Sequence, residues 1–119
     1  MLPIEERMIF HNYPERFEGR IKSYEIREIL LEKIRAFFER GFPRDLYDVG
    51  FLLGKGINIE KDLLIKKFSI RSLAFDIENL KTKEERIRKS WASSLANQIN
   101  PVPDFEVYWN KVIENLERL

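Results

Sequence analysis

Three charged residues stand where water would not easily take them. Lys33, Asp45 and Asp48 fall among positions that helical spacing assigns to apolar faces, whereas most other charges of the chain fall on solvated faces. Burying an unpaired lysine costs several kcal/mol, so Lys33 must pair with a carboxylate, line a ligand site, or snorkel from the edge of its stripe. Spacing leaves all three open. Asp45 also has a local account, because an acid in the first turn of a helix satisfies free backbone donors and complements the helix dipole. Asp48 lies beyond that first turn.

The elements that position these groups are two helices joined by a short break. From Ile26 to Arg40, Ile26, Ile29, Leu30, Ile34, Phe37 and Phe38 share one broad arc, and Glu25, Glu28, Glu32, Arg35 and Glu39 gather opposite. Lys33 sits in the middle of the apolar arc, and Arg40 continues its line at the helix end. Gly41 and Pro43 mark a stop and a start, and the next helix covers about Arg44 to Leu53, ending at Gly54 or Gly56. On it Asp45, Asp48, Val49 and Leu52 share a face. A break this short makes the two helices antiparallel or sharply angled neighbours, so Lys33 and Asp48 can meet.

Around that pair the chain reads as mainly α, a bundle of about five to six helices with a short N-terminal β or extended arm. Residues 1–22 form the arm, through Met8-Ile9-Phe10 and the helix-blocking Tyr13-Pro14, and residues 23–119 the helical domain. Helices are expected at Glu60 to Phe68 and Leu73 to Leu80. Thr82-Lys83-Glu84-Glu85 has the pattern of a capping box opening a helix with Ile87, Trp91, Leu95 and Ile99. Asn100-Pro101-Val102-Pro103 breaks that helix, and a last one runs from about Asp104 with Phe105, Tyr108, Trp109, Val112, Leu116 and Leu119 on one stripe.

The 119 residues suffice for one core, and 44% hydrophobic with 13% aromatic residues argues for a folded domain. A net charge of +1 gives no global attraction to nucleic acid or membrane, so any such binding is local. The absence of cysteine removes thiolate chemistry, and a single histidine removes a multi-histidine metal site. An acidic N-terminal stretch and the lack of a long apolar run argue for a soluble, cytoplasmic protein without a membrane partner. His11 has no visible nucleophile or acid beside it. Lys81, Lys83, Arg86, Arg88 and Lys89 form a basic cluster interrupted by Glu84 and Glu85; it reads as a solvated helix face, with RNA contact as the alternative.

Tyr24 through Ala36, then Arg40 and Pro43-Arg44-Asp45-Leu46-Tyr47-Asp48, resembles the C-terminal half of the AbiEii/AbiGii-type toxin nucleotidyltransferases of type IV toxin-antitoxin systems; Pro103 to Trp109 resembles that family's last helix. The resemblance implies nucleotidyl transfer, with RNA as the acceptor. It places Lys33 on nucleotide phosphates and Asp45 on the acceptor as the catalytic pair, with Arg40, Arg44 and Asp48 binding substrate. It also implies Mg2+ and a nucleoside triphosphate held by a Gly-Ser motif and an Asp-x-Asp pair, neither of which this sequence contains. The chain is therefore expected to be the helical half of a split or truncated enzyme, without a metal site and inactive alone. Its expected partner is a separate nucleotidyltransferase chain or an antitoxin. The competing expectation is a non-catalytic, antitoxin-like interaction module or an RNA-binding module.

Overall fold

In the computed structural model, residues 23–119 are described. The arm expected over residues 1–22, and His11 with it, lies outside them. The described residues form six helices: α1 (Ser23–Arg40), α2 (Pro43–Gly54), α3 (Lys61–Ile70), α4 (Ile77–Lys81), α5 (Glu84–Leu95) and α6 (Phe105–Glu117). No strand occurs among them.

Helix α2 is the axis of the packing. It is the most apolar of the segments by pattern, and α1, α5 and α6 all pack against it, while α3 packs on α1 and α4 on α6. Leu46, Tyr47, Val49 and Leu52 from α2 are buried with Leu30, Ile34 and Phe37 from α1, Ile87, Trp91 and Leu95 from α5, and Trp109, Val112 and Leu116 from α6. Two close approaches hold α2 in place. At Gly50 an added Cβ would lie 2.5 Å from Cδ2 of Tyr108, so the missing side chain lets the tyrosine ring lie on the α2 backbone. That ring stacks on Tyr47 at 5.2 Å between centroids.

The α1–α2 turn is set by Gly41, whose φ of +61° lies in the left-handed region that glycine adopts without a Cβ penalty. Pro43 follows at the first position of α2, where its missing N–H is no loss.

Several expected boundaries differ from the observed ones. The Thr82 capping box is not formed: Thr82 Oγ1 donates to the carbonyl of Asn79 at 2.6 Å, closing α4, and α5 starts after Lys83 without a side-chain cap. Helices α4 and α5 lie so close in sequence that Thr82 serves the end of one rather than the start of the other. Helix α4 begins at Ile77, not Leu73, because Asp76 Oδ1 accepts from the Asn79 N–H at 3.1 Å. Leu73 instead closes α3, its N–H reaching the Phe68 carbonyl at 2.9 Å past Ser72 at φ +53°. Ile99, expected on the fifth helix, falls just beyond its end yet remains buried.

Candidate functional site

The end of α1 and the start of α2 bring together the five residues singled out from the sequence. Asp45 and Asp48 are the two buried charged residues among the described ones, 0% and 1% exposed. Each is held by cations from neighbouring positions. Lys33 Nζ lies 3.0 Å from Asp48 Oδ2, crossing from α1 to α2, and Arg44 Nε donates to Asp48 Oδ1 at 3.2 Å, one helical turn away. Arg40 makes a two-pronged pair with Asp45, Nε to Oδ2 at 2.9 Å and Nη2 to Oδ1 at 2.8 Å.

Asp45 does a third thing. Its Oδ2 accepts from the Phe42 backbone N–H at 3.1 Å, which ties the third residue of α2 back to the residue before the helix. The local account of Asp45 and the pairing account of Lys33 and Asp48 therefore both hold.

Burial pushes the Asp48 carboxyl above its usual range, and the pull of Lys33 and Arg44 in the other direction does not cancel it. For Arg40, the paired hydrogen bonds to Asp45 hold the guanidinium above its usual value against the effect of partial burial. The accessible atoms of this corner are accordingly cationic. Lys33 retains 15% of its side-chain exposure, Arg44 22% and Arg40 53%, above carboxylates exposed by no more than 2%. The buried carboxylates fix the three cations from below and leave their exposed atoms turned to solvent.

The corner turns cations outward and keeps both of its carboxylates paired. Among the described residues no group of three or more histidine, cysteine or acidic side chains is placed to hold a metal. Asp45 and Asp48, the two carboxylates of this corner, already neutralise arginine and lysine. Mg2+ therefore finds no ligand set here.

The basic residues of the 81–89 stretch are scattered in their roles. Lys81 pairs with Glu117 at 2.9 Å and Arg88 pairs with Glu84 at 2.7 Å, contacts Glu106 and lies over the Phe105 ring. Lys83 Nζ donates to the Phe38 carbonyl at 2.9 Å and Arg86 to the Arg40 carbonyl at 3.3 Å. Lys83, just before α5, and Arg86 on it thus cover the last carbonyls of α1, where the helix dipole is negative. Lys89 is exposed. Sequence spacing could not disclose the capping role, because the contact spans about 45 positions and depends on how α5 docks. Gln98, also missed, contacts Arg44 from the turn after α5.

The sequence profile of the family described as nucleotidyl transferase AbiEii toxin, type IV toxin-antitoxin system, matches residues 1–112. The chain belongs to that family. The match includes residues ahead of Tyr24, where the resemblance noted above begins. Neither a curated relative nor a solved structure matches the chain. No helix among the described residues is long and apolar enough to cross a membrane.

Proposed function

We propose that the corner between α1 and α2 is the helical wall of a nucleotidyl-transfer site, completed by a separate domain that carries the Gly-Ser and Asp-x-Asp motifs. The observation that carries this reading is the rim of Lys33, Arg40 and Arg44 fixed over two buried carboxylates, in a chain of the AbiEii family. When bound, a nucleoside triphosphate supplies the transferred nucleotidyl group. Lys33 and Arg44 sit against its phosphates and offset the charge that develops there, while Asp48 holds both cations in place. Asp45 orients the acceptor only if Arg40 releases it; with both oxygens engaged, it acts through Arg40.

The test is nucleotide incorporation into RNA by this chain mixed with such a domain. The mixture is active, each component alone is inactive, and Lys33→Ala removes activity while the variant keeps its helical circular dichroism. Incorporation by the chain alone would contradict the proposal.

A second reading has its own support, since both oxygens of each aspartate are already satisfied within the chain. In it the corner is purely structural and the protein is a non-catalytic partner in a toxin-antitoxin pair. Lys33→Met decides between them: a variant that stays folded and still binds its partner, with no incorporation by the native mixture, favours the structural corner.

A further inference from the structure

Phe42 sits at the rim of this corner, and nothing in the packing requires an aromatic ring there. It occupies the residue before α2, where serine, threonine, aspartate or asparagine would cap the helix and a phenylalanine side chain cannot. What the fold uses at this position is backbone. The Phe42 carbonyl accepts from the N–H of Asp45 at 3.0 Å and of Leu46 at 3.3 Å, and its own N–H goes to Asp45. Any residue with the same extended backbone supplies those bonds.

The ring itself stays 49% exposed. Among the described residues, the other exposed phenylalanine, Phe75, packs on Phe38 at 5.1 Å and Phe68 at 5.6 Å, whereas Phe42 has no ring neighbour. Its partner is a cation: the Arg40 guanidinium carbon lies 4.9 Å from the ring centroid. Because Asp45 grips Arg40 with two bonds, the guanidinium is held over the ring and not left to wander. Arg44 lies two residues on, and Arg86 is tied to the Arg40 carbonyl. An open aromatic face, backed by a fixed guanidinium and flanked by cations, is the composition that takes a nucleobase by stacking and its phosphates by charge.

We propose that Phe42 is a stacking platform for a nucleobase at the α1–α2 corner. The inference rests on the phosphate-binding reading of that corner and adds to it the group that meets the base. The base belongs either to the nucleoside triphosphate or to a single-stranded RNA acceptor, and the two share the chemistry that Phe42 reads.

The experiment titrates the full chain with ATP and, separately, with a short single-stranded RNA, using native protein, Phe42→Ala, Phe42→Trp and Arg44→Ala. Phe42→Ala weakens binding of the affected probe by about tenfold. It leaves the melting temperature and the salt dependence unchanged, because no charge is lost. Phe42→Trp binds like the native protein and shows added indole quenching on binding. Loss confined to ATP assigns the base to the triphosphate, and loss confined to RNA assigns it to the acceptor. If Phe42→Ala binds both probes as the native chain does while Arg44→Ala weakens them, the platform is wrong and the phosphate reading stands. If the native chain binds neither probe, both fail.

Discussion

At the scale of single residues, the corner is decided by how two carboxylates are neutralised. Removing Asp48 leaves Lys33 and Arg44 facing each other in a poorly hydrated place, so Asp48→Ala is expected to cost about 3 kcal/mol in urea denaturation. Lys33→Met is milder, because Arg44 still answers Asp48 and the carboxyl can take up a proton. The pH dependence separates the two accounts. A carboxyl raised by burial favours the folded state most below its unfolded pKa, and that contribution is lost as pH rises through the folded value. Without Lys33 the folded value rises further, so the destabilisation in Lys33→Met shrinks when stability is measured at acid rather than neutral pH. A loss that does not change with pH would mean that Lys33 contributes by packing its stem. Part of this was legible beforehand: a lysine in the centre of an apolar arc, followed by a short turn and two aspartates on one face, marks the anomaly and its candidate partners, but spacing does not choose between pairing, a ligand site and snorkelling. The grip of Asp45 on both Arg40 and the Phe42 N–H was only half legible, since the cap follows from position but the choice of Arg40 depends on the turn at Gly41.

At the scale of elements, α2 is held by small-residue contact and α1 by charge. Gly50→Ala places a methyl inside the Tyr108 ring, and because that ring is stacked on Tyr47 and tilted against Trp91 it cannot swing away freely. A loss of about 2 kcal/mol is expected from thermal or urea unfolding. Gly41 differs, since its added Cβ would meet the flexible ends of Lys83 and Arg86; its constraint is the backbone angle. Helix α3 is fastened to α1 by buried Leu64 and Phe68, by the Arg71–Glu39 pair and by Lys67, which reaches Glu28 at 2.6 Å and Glu32 at 2.8 Å. Although burial acts to raise the Glu32 carboxyl, Lys67 and Arg35 together hold it below the ordinary glutamate range. A lowered acid stabilises the fold above its unfolded pKa and loses that contribution as pH falls through the folded value. The α1–α3 contact should therefore loosen on acidification, with amide exchange in α3 accelerating before that in α2. Lys67→Ala should reduce this acid sensitivity, part of which remains with the Arg71–Glu39 pair, at a cost of about 1 kcal/mol, in keeping with partly exposed pairs. Unchanged exchange in that variant would place the stability of the contact in Leu64, Phe68 and the Arg71–Glu39 pair.

At the scale of the whole molecule, a net charge of +1 gives no long-range field, so any nucleic-acid binding must come from a few local cations. With three rim cations, Lys33, Arg40 and Arg44, the affinity for single-stranded RNA should fall with salt at a logarithmic slope of about 2, near 0.7 for each phosphate neutralised. A much steeper slope would move the binding surface to the 81–89 stretch, whose cations are otherwise occupied by Glu117, Glu84 and the end of α1. The sequence by itself determined the helical class, the order of the helices, the break at Gly41-Phe42-Pro43 and the anomaly of Lys33, Asp45 and Asp48. These follow from periodicity and turn chemistry, which act over a few residues. Tertiary structure alone decided that Thr82 ends a helix and does not begin one, that Lys83 and Arg86 cover the end of α1, that Gly50 receives Tyr108, and that Phe42 is left in water beside Arg40. Each of these depends on how helices far apart in sequence dock, and docking angles come from the summed packing of the core, which no local pattern encodes.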